Sequence, residues 1–308
     1  MKPAPFDYYA PASVAEALDQ LAELGYNGKV LAGGQSLIPA MNFRMAQPAA
    51  LVDLNNIKEL EYIQPTADGG LLIGTMTRDS KVEYSPVVIQ RAALICETMP
   101  YIAHPQIRNR GTFGGAMAHA DPAGQLPGLA VALEMRMHVR SRTNDYWVNA
   151  DDFFVGPFAS VIQPDEMLAE VAIPALAPRS GTCYRQVSRQ RGSQALVAVA
   201  VRVTLDEKGK CVGANIVMLS VGERPILAKK AAGVLIGQIA SAGAILAAAE
   251  IAATEEIDPG SDIHATAEYR HAAANVLVQR ALTEAFARAQ GRSSNTQKTS
   301  IQNEDTGG

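Results

Sequence analysis

Val30-Leu31-Ala32-Gly33-Gly34-Gln35-Ser36-Leu37 ends a short apolar run in a pair of glycines. About 80 residues later, Gly111-Thr112-Phe113-Gly114-Gly115-Ala116-Met117-Ala118-His119-Ala120-Asp121-Pro122 carries a second pair. Glycine lets backbone amides approach a phosphate closely, and successive amides form an anion nest without any charged side chain. Ser36 and Thr112 add hydroxyl donors, and a helix expected after Gln35 points its N-terminus at the same place. One such pair alone reads as a tight turn. Two, both joined to strands and both flanked by hydroxyl residues, fit a pyrophosphate clamped from two sides. Neither is a P-loop, which needs Lys after the glycines, and neither is GxGxxG.

Working outward, Ser13 and Glu16 have the spacing of a capping box, so a helix is expected over Val14–Leu24, ended by Gly25. Lys29–Ala32, Val52–Leu54 and Leu71–Gly74 read as short strands, and Pro86–Cys96 as a helix opened by proline. From Met135 to Pro174, apolar and polar residues alternate between turns, the pattern of antiparallel strands. Leu196–Leu205 and Ala214–Val221 read as paired strands around the polar turn Asp206-Glu207-Lys208-Gly209-Lys210. Beyond Ala228 the chain is Ala-rich and helical to about Gln290. Strands and helices mix without regular βαβ alternation, so the fold class is α+β.

The 308 residues exceed one small core, and 48% hydrophobic with 19% charged residues marks a chain that folds over most of its length. The net charge of −4 offers no broad basic surface, which excludes nucleic acid as a partner. Three scattered cysteines, Cys96, Cys183 and Cys211, are too few for a four-cysteine zinc or iron–sulfur site. Met1-Lys2-Pro3-Ala4-Pro5-Phe6-Asp7 lacks the apolar core of a signal peptide, so the expected location is the cytoplasm. Ala231–Ala249 is uncharged over 19 residues, but Ala and Gly dominate it. It is read as two packed helices around Gly237 or Gly243 rather than a membrane span. Residues 291–308 hold one large apolar side chain, Ile301, and are expected to be a disordered tail.

Ala32-Gly33-Gly34-Gln35-Ser36-Leu37 resembles the AGGxSL loop of the medium, FAD-binding subunit of molybdenum hydroxylases, the family of carbon monoxide and xanthine dehydrogenases. Ile107 to Gly115, followed by His119-Ala120-Asp121-Pro122, resembles its TxGGN motif, and Tyr184-Arg185-Gln186-Val187-Ser188-Arg189 resembles a third family segment. The resemblance runs in order from Phe6 to about Gln290. It implies a two-lobed FAD-binding domain of the vanillyl-alcohol oxidase type over 1–176, with lobes of about 1–56 and 57–176. A C-terminal sheet-and-helix domain over 177–290 packs against the flavin side. Carried over residue by residue, it implies FAD contacts at Ala32, Gly33, Gly34, Gln35, Ser36 and Leu37, and at Thr112, Gly114 and Gly115. Ile102 and Ala103 match a segment near the adenine or pyrophosphate. Leu168 matches a backbone contact to the isoalloxazine edge, and Arg185 stands where the family usually has Lys.

Three positions depart from the family pattern. Ala116 replaces the Asn after TxGG, so one side-chain hydrogen bond is either missing or replaced. Gln125 replaces an acidic residue and keeps a hydrogen bond to a ribityl hydroxyl without the charge. Phe113 replaces Ile or Val. The other chemistry-bearing residues have plainer readings. His104 is expected at the surface. His119 beside Asp121 is either a relay pair or a structural donor near the flavin, and the second is expected. Arg108 and Arg110 either neutralise the pyrophosphate or form a solvated face or a subunit contact. Cys96 is read as core, and Asp151-Asp152 as a strand-end turn rather than a metal site.

Together these imply an electron-transfer flavoprotein subunit with no catalytic acid, base or metal ligand of its own. Molybdopterin would lie on a large partner and two [2Fe-2S] clusters on a small one, in a heterotrimer or a dimer of heterotrimers. The competing readings are a stand-alone flavin oxidase or dehydrogenase of the same fold and a non-catalytic scaffold whose glycine pairs are only turns.

Overall fold

The computed structural model describes residues 1–292; the expected tail lies, from 293 onward, outside the described residues. The first lobe comprises β1 (Asp7–Tyr9), α1 (Val14–Leu24), β2 (Gly28–Leu31), α2 (Leu37–Asn42) and β3 (Ala50–Asp53). Its three strands are parallel in the order β1-β3-β2. Ser13 caps α1 by accepting from the Glu16 amide, and Glu16 reaches back to the Ala12 amide, one residue upstream of the expected box partner. Val14, Ala17, Leu18 and Leu21 bury one helical face against Val52, Leu54, Ile57 and Leu60.

The second lobe begins with β4 (Ile63–Pro65), β5 (Leu71–Gly74), α3 (Asp79–Glu83), α4 (Pro86–Arg91) and α5 (Ala93–Thr98). The single helix expected over Pro86–Cys96 is thus two, broken where Ala92 leaves helical geometry at φ −144° and ψ 51°. Then come α6 (Pro105–Arg108), α7 (Phe113–His119), α8 (Gln125–Ala132), β6 (Arg136–Arg140) and β7 (Asp145–Asn149). After α9 (Ala150–Phe153) the hairpin β8 (Phe154–Gly156) and β9 (Ala159–Ser160) leads to β10 (Met167–Ile173). The sheet β4-β5-β10-β6-β7 is antiparallel throughout, as the alternation after Met135 predicts.

The C-terminal domain is a sheet of β11 (Ser180–Val187), β12 (Val197–Leu205), β13 (Cys211–Leu219) and β14 (Ile226–Leu227), followed by α10 (Lys229–Gly233), α11 (Ala242–Glu255) and α12 (Ala267–Ala289). Both sheet faces are buried. Tyr184, Ala198, Ala200, Val217 and Leu219 join the core of the second lobe, while Val197, Val199, Val201 and Val203 pack on α11 and α12. This explains why Val197–Val201 reads as an unbroken apolar run rather than an alternating one. The turn between α10 and α11 falls at Gly237, at φ +79°, while Gly243 lies inside α11. Among the described residues, no helix is long and apolar enough to cross a membrane.

Candidate functional site

The first glycine pair follows β2 at the C-terminal edge of the parallel sheet and opens a pocket of about 320 Å³. Leu31 to Gln35, Ile38, Pro39 and Asn42 line it, with Asp53 and Asn55 from the end of β3 and Arg110 from the second loop. Gly34 sits at φ +73°, which a branched side chain adopts only with strain. The amides of Gly34, Gln35, Ser36 and Leu37 donate to no group of the described chain. Ser36 makes no side-chain cap bond to α2. The loop is nevertheless fixed. Gln35 Nε2 donates to Gly33 O at 2.9 Å, and Asn55 Nδ2 donates to Ala32 O at 3.0 Å. Asn55 accepts in turn from Arg78 Nη2 at 2.6 Å, while Arg78 Nη1 donates to Arg110 O at 2.5 Å. Four unpartnered amides thus stand on a braced loop whose pocket is also lined by the exposed Arg110.

The second pair is built differently. Gly111 donates to Ile107 O at 2.6 Å, Phe113 to Thr77 O at 2.9 Å, Gly114 to Thr75 O at 3.0 Å and Ala116 to Thr112 O at 3.1 Å. Gly115 donates to Thr112 Oγ1 at 3.2 Å, making Thr112 the cap of α7. Of residues 111–116, only Thr112 keeps a free amide. Glycine is required here for space. A Cβ on Gly114 would lie 1.7 Å from Thr75 Oγ1 and 2.6 Å from Thr75 Cα. One on Gly33 would lie 2.5 Å from Arg110 O and 2.8 Å from Gly111 Cα, so the two loops touch through their glycines. The first loop therefore leaves its amides unpartnered, while those of the second are spent within the chain except at Thr112.

The remaining candidates separate. Ile102 and Ala103, the latter at φ +44°, are held by Arg108, whose Nη1 donates to both carbonyls at 3.0 and 3.4 Å. Arg108 itself is buried and grips Glu83 through Nε at 2.7 Å and Nη2 at 3.0 Å. Neither expectation for it holds: its charge is spent on a buried carboxylate, and Arg110 takes the exposed position at the pocket. Gln125 Nε2 donates to Tyr101 O and Gln186 Oε1, each at 3.3 Å, and so joins the second lobe to the C-terminal domain. Arg185 lines a different cavity, about 540 Å³, between Tyr101, Gln186 and α12. Leu168 is buried in β10 and Ala116 packs against the same core, so neither side chain opens to the first pocket.

His104 is exposed at the start of α6. His119 is half-buried against Phe158, with ring centroids 5.1 Å apart, and burial lowers its pKa despite Asp121 nearby. Cys96 is half-buried on α5, and burial pushes its thiol up to about 11. Asp151 bonds Lys229 Nζ at 3.0 Å, and among the described residues no cluster suits a metal ion. The sequence reading missed Asp53, Asn55, Thr75, Thr77 and Arg78, which brace the loops. Their only signal is that they end β3 and follow β5, the strands nearest the glycines in space.

Residues 4–176 match the family model described as the FAD binding domain in molybdopterin dehydrogenase, and residues 182–285 match the CO dehydrogenase flavoprotein C-terminal domain. The 6-hydroxypseudooxynicotine dehydrogenase complex subunit alpha of Paenarthrobacter nicotinovorans is 40% identical over 94% of this chain and 97% of its own length. The carbon monoxide dehydrogenase medium chain of Hydrogenophaga pseudoflava is 36% identical over 94% and 99%. Among solved structures, carbon monoxide dehydrogenase from Hydrogenophaga pseudoflava superposes with a TM-score of 0.90 at 36% identity, covering 94% of this chain and 99% of that one. Quinoline 2-oxidoreductase from Pseudomonas putida 86 gives 0.87 at 34%, with the same coverage.

Proposed function

This chain belongs to the FAD-binding medium subunits of the molybdopterin dehydrogenases, and on that premise we propose that it is the electron-transferring flavin subunit of a larger complex. FAD, when bound, supplies a carrier that accepts electrons singly or in pairs. The observation that carries the reading is the row of unpartnered amides at Gly34, Gln35, Ser36 and Leu37, on a loop held in place by Asn55 and Gln35. Among the described residues no group accepts from those donors, and a diphosphate accepts them.

The chain's residues divide the work. The first loop binds the phosphates, Arg110 supplies counter-charge at the pocket, and Thr112, Gly114, Gly115 and Ala116 shape the floor beneath. Ile102, Ala103, Leu168 and Arg185 extend the cofactor site toward the C-terminal domain, and Gln125 ties the second lobe to that domain through Tyr101 and Gln186. The flavin is held without a covalent link, since no His or Cys lines the first pocket. Acid precipitation of the purified protein is therefore expected to leave the yellow colour in the supernatant.

No residue on this chain has to move a substrate proton. Burial pushes the thiols of Cys96 and Cys183 up to about 11, away from the thiolate a nucleophile needs. A large molybdopterin subunit would supply substrate oxidation and the [2Fe-2S] clusters of a small one the electrons, which this chain would hand to an external acceptor. The complex is a heterotrimer or a dimer of heterotrimers in the cytoplasm. Anaerobic flavin bleaching tests this. The chain alone is expected to stay oxidised with aldehydes, N-heterocycles or carbon monoxide and to bleach with dithionite, and added partner subunits restore bleaching by the complex's substrate. Rapid bleaching of the chain alone by one of these compounds makes it a stand-alone dehydrogenase, and a colourless protein that takes up no FAD makes it a scaffold.

A further inference from the structure

Asp79 opens α3 directly behind the second glycine loop. Its amide donates to Gly111 O at 3.1 Å, and its carboxyl lies against Gly111 so closely that a Cβ there would come within 2.3 Å of Oδ2. The residue is 4% exposed, and Oδ1 has no hydrogen-bond partner. Two guanidinium groups stand nearby, but both are committed elsewhere: Arg108 to Glu83 and the Ile102 and Ala103 carbonyls, Arg78 to Asn55 and Arg110 O. Glu83, on α3 itself, adds a like charge. Of the elements packed on α3, α4 turns Arg91 to the Thr66 and Gly70 carbonyls and α5 brings Cys96 beside Glu83. A carboxylate in this position would be a buried charge with Oδ1 unpartnered, behind the supporting loop that adjoins the one on which a diphosphate is to sit. A proton removes the buried charge, and with it the repulsion from Glu83 and from a bound diphosphate.

Resting on the flavin reading, we propose that Asp79 is a positioning residue for the cofactor diphosphate. Held as the neutral acid, it backs Gly111 and keeps the supporting loop against Gly33, so that the amides of the first loop face the anion. The buried carboxyl titrates at about 7, raised by burial and then lowered in part by Arg108 and Arg78. A dianion bound on the adjoining loop raises it further, so FAD binding and protonation of Asp79 support each other. Affinity is therefore full below pH 7 and falls as the pH rises toward the pKa of the bound state, approaching tenfold per unit within that window.

The test measures FAD dissociation constants of the flavin-stripped full chain by fluorescence between pH 6 and 9 at fixed ionic strength. The wild type is expected to weaken at least fivefold between pH 7 and 8.5. Asp79→Asn, which keeps the shape without the charge, is expected to match the wild type within threefold at pH 6 and to stay flat across the range. A wild-type profile that is itself flat overturns the proposal while leaving FAD binding intact. So does an Asp79→Asn profile that still falls like the wild type, or that has lost FAD at every pH although folded by circular dichroism. Should the variant not fold, calorimetric titration of the wild type at pH 7.5 in two buffers of different ionisation enthalpy decides. Net proton uptake on binding supports the proposal and zero uptake overturns it. A wild type that binds no FAD at any pH fails the flavin reading and takes this one with it.

Discussion

Gly33-Gly34 and Gly114-Gly115 are the same dipeptide put to opposite uses. In the first, Gly34 takes a left-handed conformation and the following amides point outward without partners. In the second, none of the glycines from 111 to 115 has a positive φ, and their amides are all consumed within the chain. Gly34 of the first loop is needed for its dihedral freedom, and Gly114 of the second, like Gly33 where the loops touch, for its missing side chain. Flavin binding and folding stability should therefore separate cleanly between them, although the loops touch at Gly33 and Gly111.

Gly114→Ala should have the largest effect. The added Cβ meets Thr75 backbone as well as its hydroxyl, so β5 and α7 must part, at a cost of about 4 kcal/mol or more. The expected outcome is a flavin domain that unfolds many degrees lower in calorimetry and loses FAD only because it unfolds. A variant of unchanged melting temperature would erase the distinction between the loops. Gly34→Val should do the reverse. Its neighbours are the side chains of Ile38 and Leu31 at 3.2 and 3.4 Å, which can yield, so the cost is backbone strain of about 1–3 kcal/mol. FAD retention on gel filtration should fall sharply, while the far-ultraviolet spectrum and the C-terminal domain are preserved. Full flavin occupancy in that variant would remove the first loop from the phosphate site.

Thr112→Ala removes the cap of α7 and should cost about 1 kcal/mol of stability in urea unfolding. FAD affinity should change little, because the Thr112 amide remains. Gln125→Ala is the mildest. It breaks neutral hydrogen bonds to Tyr101 O and Gln186, with a loss of up to about 1 kcal/mol. The effect should show as a lower melting temperature rather than a changed flavin spectrum. A shifted flavin absorbance band would instead place the carboxamide on the cofactor.

Much of the frame was legible because it rests on local chemistry. Ser13 with Glu16 marks the start of α1, the Asp206–Lys210 turn separates β12 from β13, and the alternation after Met135 announces β6, β7 and β10. The break at Ala92 was not legible, since neither neighbour is a helix breaker and the interruption follows from how α4 and α5 pack on the second lobe. Arg108 shows the same limit more sharply. In sequence it is one of two basic residues before a glycine turn. Its partner Glu83 lies 25 residues upstream on another helix, and nothing local distinguishes it from Arg110, which stays exposed.

By itself, then, the sequence determined that two glycine loops exist, that strands lead into them and that their motifs match a flavin family, because periodicity, turn residues and motif spacing are properties of neighbours along the chain. Which loop would offer its amides was decided only in three dimensions. That depends on where Thr75 and Thr77 place their carbonyls, on Asn55 reaching Ala32 from the end of β3, and on the space Asp79 and Arg110 leave around Gly111 and Gly33. An amide is free or spent according to what lies within 3 Å of it, and the groups that settled the matter here come from strands and helices more than 20 residues away.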